Sequence, residues 1–265
     1  MKRLAVFFLS FLLTQAAYAT GMFGMVDIVS GTATVTDKTG ANQPVHAGME
    51  IYSRQSIQTG SDGEVHIVTE DGGFIALRPN TSFRVDRYQA KGEASDEVVF
   101  SLLKGALRSI TGWVARKNPL AYRLNTPTAT IGVRGTDHET TVIATATDED
   151  QAGTFDTVYE GATVMQTDQG ELDIQAGEYA FAALAPGIPP RLLERPPGFV
   201  KLRKLMIEGR IQHRKEELKR HIQHRLQDKV GAQREENGDR IQGAKERREA
   251  IKQRKELRRM RELRN

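Results

Sequence analysis

The 265-residue chain contains no cysteine. That excludes a disulfide framework, a thiolate metal site, a cysteine nucleophile and a lipid-bearing cysteine behind an export signal. Aromatic residues make up only 6% of the chain, too few for the aromatic girdles of an outer-membrane barrel, whose strands would also run to about 10 residues. No stretch beyond residue 19 is apolar enough to cross a membrane, and the run from Leu4 to Ala19 is shorter than the roughly 20 residues a spanning helix needs. Gly-Lys and Gly-Ser phosphate loops are missing, and Ser53, Ser101 and Ser109 lack the strand-turn-helix setting of a nucleophile elbow.

The beginning of the chain has the three parts of a cleavable secretory signal. Lys2 and Arg3 supply the basic start, Leu4 to Leu13 the apolar run, and Ala17-Tyr18-Ala19 the small residues a signal peptidase reads, with cleavage between Ala19 and Thr20. The mature protein is therefore expected in the periplasm or secreted. Its charge is divided sharply: residues 201–265 carry 22 Lys+Arg against 11 Asp+Glu, a net +11, whereas residues 20–200 carry 14 against 23, a net −9. An acidic body bears a basic tail.

From Met22 to about Ala183 short strands alternate with glycine, asparagine and aspartate turns. Residues 32–36, 64–69, 74–77 and 82–86 are rich in β-branched or aromatic side chains, and Asp62-Gly63, Asp71-Gly72-Gly73 and Pro79-Asn80 punctuate them. Further strands are predicted at 98–103, 106–110, 122–125, 128–133, 138–144, 157–160, 163–167 and 178–181. This spacing predicts a mainly β fold over 20–184, a β-roll, sandwich or β-helix-like stack, and composition does not choose among them. Pro186, Pro189, Pro190, Pro196 and Pro197 mark residues 185–198 as a linker, because proline lacks the amide donor that helix and ladder both need. Residues 199–265 contain no proline and read as an α-helical charged C-terminal extension, with helices over 199–230 and 239–263 around Asn237-Gly238. Ile207, Ile211, Leu218, Ile222 and Leu226 give it an apolar stripe too narrow to pack on a core, so a solvated, oligomerising or partner-bound arm is expected.

The run Asn125-Thr126-Pro127-Thr128-Ala129-Thr130-Ile131-Gly132-Val133-Arg134-Gly135-Thr136 closely resembles the signature of the FecR domain, the periplasmic domain of the ferric-citrate regulator. Gly31-Thr32-Ala33, Gly48, Ile57-Gln58-Thr59, residues 73–81, residues 103–107 and Ala176-Gly177-Glu178 follow in that family's order, so the resemblance spans residues 22–183. It implies a β domain that works by protein or envelope contact without enzymatic activity. The regulator itself has a membrane-spanning segment and a cytoplasmic part acting on a sigma factor, and neither has a counterpart in this sequence.

Arg134 to Glu139 is the most chemically suggestive segment. On a strand, however, His138 would face away from Asp137 and Glu139, so sequence neighbours do not make a catalytic dyad. Two readings stay open. In one, Gly132 and Gly135 allow a tight backbone path while Arg134 pairs with a distant carboxylate; in the other, Arg134, Asp137 and His138 contact a partner. No catalytic residue, cofactor or metal is expected. The acidic loop Asp148-Glu149-Asp150 lacks calcium ligands where Ala152 and Tyr159 stand, and of His213, His221 and His224 only the last two have useful metal spacing. Export and the interleaved acidic residues turn the basic tail away from nucleic acid, toward an envelope protein or an anionic envelope surface. The functions consistent with all this are partner binding or scaffolding, regulation of a separate membrane sensor or sigma-factor pathway, and, least supported, an envelope hydrolase.

Overall fold

The computed structural model describes residues 21–147 and 150–200. The signal segment with its Ala19–Thr20 junction, Asp148 and Glu149 of the acidic loop, and the tail beyond Val200 with His213, His221 and His224 lie outside those residues. The chain divides into two compact units between Arg195 and Pro196.

The first unit is built from strands, in keeping with its β-branched segments and frequent turn residues. Eight come in quick succession: β1 (Met22–Ser30), β2 (Ala33–Thr36), β3 (Asn42–Pro44), β4 (Glu50–Tyr52), β5 (Ser56–Thr59), β6 (Glu64–Thr69), β7 (Phe74–Leu77) and β8 (Ser82–Gln89). The long β9 (Glu97–Ile110) follows, then the short helix α1 (Trp113–Lys117), a 3-10 turn over Pro119–Ala121, and β10 (Tyr122–Asn125). Two further long strands, β11 (Thr130–Ile143) and β12 (Gly153–Thr167), precede β13 (Gly170–Gln175), β14 (Tyr179–Ala183) and β15 (Arg191–Leu192). The proline-rich segment thus contributes to the sheet, since Arg191 and Leu192 pair with Phe181 and Ala180 of β14.

All fifteen strands join one open, mixed sheet, in which β10 beside β9 is the parallel pair. The three long strands connect its two halves. Before Gly105, β9 lies between β8 and β10; after it, β9 lies between β7 and β11. β11 pairs with β10 over Thr130–Gly132 and with β9 from Asp137 onward. β12 takes β14 as neighbour over Gly153–Thr157 and β13 over Ala162–Thr167. Each changeover coincides with a glycine in the left-handed region: Gly105 at φ 85°, Gly135 at φ 62° and Gly161 at φ 78°. An L side chain is disfavoured there, whereas glycine lets a strand bend without breaking.

One half-sheet therefore holds β4, β1, β6, β7, β14 and β15, and the other β3, β2, β5, β8, β10 and β13, with β9, β11 and β12 shared. The halves face each other across the core. Phe23 of β1 meets Phe100 of β9 edge-on at 5.2 Å between ring centroids and lies 6.3 Å from Phe83 of β8. Val26, Ile67, Ile75 and Leu77 from one side and Val35, Ile57, Val85 and Ile131 from the other complete the apolar interior, each such side chain contributing about 1.5–3 kcal/mol on burial. Among the described residues no helix is long and apolar enough to cross a membrane.

Candidate functional site

The segment Arg134–Glu139 begins at the bend of β11 and runs into its second half, between β9 and β12. Side chains alternate along a strand, and the pairs they make follow that alternation. Asp137 accepts from Arg108 of β9 through two parallel bonds, Nε to Oδ1 at 2.8 Å and Nη2 to Oδ2 at 3.0 Å. Both side chains are 2% exposed, and the Arg108 guanidinium lies 4.1 Å from the centroid of the Tyr159 ring. Glu139 accepts from Arg78 at 3.1 Å, Arg78 also donates to Glu64 at 3.2 Å, and Glu64 meets His66 Nε2 at 2.6 Å. A line of alternating charge thus runs from Glu64 of β6 through Arg78, just past β7, to Glu139 of β11.

His138 enters a different set of contacts. Its Nδ1 lies 3.0 Å from Asp156 Oδ1, which also accepts from Thr140 Oγ1 at 2.7 Å, while Asp156 Oδ2 accepts from Thr163 Oγ1 at 2.7 Å. His138 and Asp156 are wholly buried. The carboxylate identifies Nδ1 as the protonated ring nitrogen, and Nε2 is buried with no hydrogen-bond partner. The ring stands edge-on to Tyr122 at 6.5 Å, whose hydroxyl is 2.9 Å from Ser109 Oγ. A histidine held by a carboxylate is half of a general-base arrangement, but among the described residues no hydroxyl or thiol meets the buried Nε2. The pair orients the strand and fills the interior between β11 and β12.

Arg134 is exposed and has no ion pair among the described residues. The expectation that it would lock the fold through a distant carboxylate is corrected: Arg108 has that role with Asp137, because Arg134 sits at the bend and projects outward. Of the three residues offered for partner contact, Arg134 is at the surface, whereas Asp137 and His138 lie behind it. Arg108, Arg78, Glu64, Asp156 and Tyr159 were not foreseen from the sequence. Their only signal there is a charged or polar residue on an otherwise apolar strand, as Arg108 is in Ala106–Ile110.

A second polar centre supports α1. Asp71 accepts from Thr69 Oγ1 at 2.6 Å and from Tyr88 Oη at 2.9 Å, and its backbone oxygen accepts from Trp113 N at 3.0 Å. Burial, then the charge of Asp71, pushes the Tyr88 hydroxyl far above the ordinary phenol range. Burial chiefly does the same to Tyr122, with the charges of Asp71 and Asp156 adding to it and the Ser109 bond opposing it. No cluster of three or more His, Asp or Glu side chains among the described residues is arranged to hold a metal ion.

Two clefts, of ≈ 350 and ≈ 220 Å³, open where the β10–β11 turn, the β12–β13 turn and the segment after β14 meet. The threonines lining them are largely engaged internally: Thr126 Oγ1 donates to Ala129 O at 2.8 Å, Thr128 Oγ1 to Thr154 Oγ1 at 2.6 Å and Thr167 Oγ1 to Gly170 O at 3.2 Å.

These features are those of a packed β module whose most reactive-looking segment is spent on internal pairing. More particularly, the FecR protein family model matches residues 55–163, and the chain carries a FecR domain there. That match contains the whole Asn125–Thr136 run and is narrower than the 22–183 over which the resemblance was traced. Two crystal structures of a Parabacteroides distasonis protein assigned as an anti-sigma factor are similar to the chain at 15% identity and a TM-score of 0.42. The aligned regions cover 55% and 56% of this chain and 62% and 63% of theirs, so the chain spans less than two thirds of the length of those structures. No curated protein matches the sequence.

Proposed function

We propose that the protein is a non-enzymatic regulatory component of the bacterial envelope that acts by contact with a protein partner. The FecR domain at residues 55–163 supports the regulatory class. The observation that carries the non-enzymatic reading is the enclosure of the ionisable residues that follow the signature run, with His138 wholly buried against Asp156 and Asp137 held by Arg108. Arg134, exposed at the β11 bend, is the member of that run placed to touch a partner, and Asp137 and His138 fix the strand behind it. The signal-like residues 1–19 support the periplasm as the compartment, and the partner is then an envelope protein such as a separate membrane sensor.

The test is site-specific crosslinking in intact cells, with a photoreactive side chain at position 134 of the full chain and a control at Thr39, in an exposed turn. Capture of one defined envelope protein from position 134 and not from Thr39, abolished by placing glutamate at Arg134 of an otherwise identical chain labelled nearby, is the expected result. Identical capture from both positions would sink the assignment of this face.

A further inference from the structure

Among the strands at the ends of the sheet, β13 differs from the others. β3 has three residues ending in Pro44, β4 has three and β15 has two, lengths and residues that blunt an edge. β13 has six residues and, among the described residues, pairs on one side, with β12, leaving an edge about 20 Å long open there.

Its register determines what that edge offers. Thr167 and Gly170 close a two-residue turn over Asp168-Gln169, and the closing residues of such a hairpin exchange both backbone bonds. Bonding then alternates, so Leu172 and Ile174 bond to β12 while Glu171, Asp173 and Gln175 direct their N–H and C=O groups outward. The Gln175 N–H donates to Glu178 Oε2 at 2.7 Å; the amides of Glu171 and Asp173 have no partner among the described residues. The side chains of both are exposed, whereas Ile174 is fully buried. Asp168 at one end and Glu178 at the other extend the line of carboxylates. The ≈ 220 Å³ cleft opens beside Asp168, with Leu184 49% and Ile188 44% exposed on its wall.

We propose that β13 receives an extended lysine- or arginine-bearing segment of a partner protein, which adds to the sheet as a further strand and places an apolar side chain against Leu184 and Ile188. Strand addition takes its affinity from main-chain bonds and its selectivity from alternate side chains. A second copy of the same edge is a poor partner, because Glu171 and Asp173 would meet carboxylates of their own kind across the pair. The inference rests on the partner-contact reading but concerns a surface separate from Arg134.

The probe is a ten-residue peptide alternating lysine and valine, titrated into the full mature chain beside its glutamate-valine counterpart. The lysine peptide is expected to bind, slow exchange of the Glu171 and Asp173 amides and weaken with salt, and the glutamate peptide to leave them unchanged. Asp173→Pro removes an outward amide without touching the β12 ladder and is expected to weaken binding at least about tenfold, whereas Asp173→Asn keeps the amide and loses less. Glu171→Pro serves in its place if Asp173→Pro lowers the melting temperature. Equal binding by the proline variant and the parent would reduce the edge to a diffuse acidic patch, and no protection of either amide would remove it altogether. If position 134 still captures its partner in that case, the regulatory reading stands and β13 alone is lost.

Discussion

Arg108 and Asp137 form a two-bond pair with almost no exposure, beneath the Tyr159 ring. Removing one member strands the other charge in a site poor in water, so Arg108→Met is expected to cost about 3–5 kcal/mol in urea unfolding. The double variant Arg108→Met with Asp137→Leu should recover most of that loss, since neither charge then needs a partner; equal losses in single and double variants would contradict the pairing. Arg84 and Asp86 make the useful contrast, because Arg84 is 54% exposed and Arg84→Ala should change stability by no more than about 0.5 kcal/mol. At this scale the sequence was legible only in part. It drew attention to Asp137 and His138, but their partners stand 29 and 18 residues away, Arg108 on β9 and Asp156 on β12. Nothing local encodes a pair made by register between distant strands.

The strands themselves were far more legible. The spans 64–69, 74–77 and 122–125 coincide with β6, β7 and β10. Each long strand was read as two: 98–103 and 106–110 are β9, 128–133 and 138–144 match β11, and 157–160 and 163–167 fall within β12. The interruptions at 104–105, 134–137 and 161–162 contain the three bend glycines, so what separated the predicted strands is a bend within one continuous strand. β1 and β13 were missed for identifiable reasons: Gly24 and two methionines dilute the first, and only Leu172 and Ile174 alternate with charges in the second. The bends give a graded prediction. A β-carbon at Gly105 would stand 2.5 Å from Thr81 Cα, and one at Gly161 2.7 Å from the Gly135 carbonyl oxygen, whereas at Gly135 the nearest atom is Arg116 Cγ at 3.3 Å. Alanine at any of them adopts a left-handed conformation costing about 1–2 kcal/mol, and overpacking adds about 1–3 kcal/mol at the first two. Melting temperatures should therefore fall more for Gly105→Ala and Gly161→Ala than for Gly135→Ala, and the reverse order would refute this account of the bends.

Over the whole molecule, the buried phenols of Tyr88 and Tyr122 link stability to alkaline pH. Their ionisation is raised by burial in the folded state, while in the unfolded chain tyrosine ionises near pH 10. The stabilisation they confer is thus fully present below about pH 10 and declines as pH climbs past it, by up to about 1.4 kcal/mol per pH unit for each tyrosine. Urea midpoints measured across that range should fall less steeply for Tyr88→Phe than for the parent, and an unchanged slope would speak against the burial of that hydroxyl. The shared strands have a further consequence, for how the fold is reached. Because β9, β11 and β12 each belong to both half-sheets, neither half has its full set of strands until the chain has been made as far as β13. β1 to β8 can pair among themselves, but the shared strands join the layers through contacts more distant in sequence, and closing those loops is the slower part of the route. A chain emerging from synthesis therefore completes its layers late, once β13 is available, rather than one half at a time.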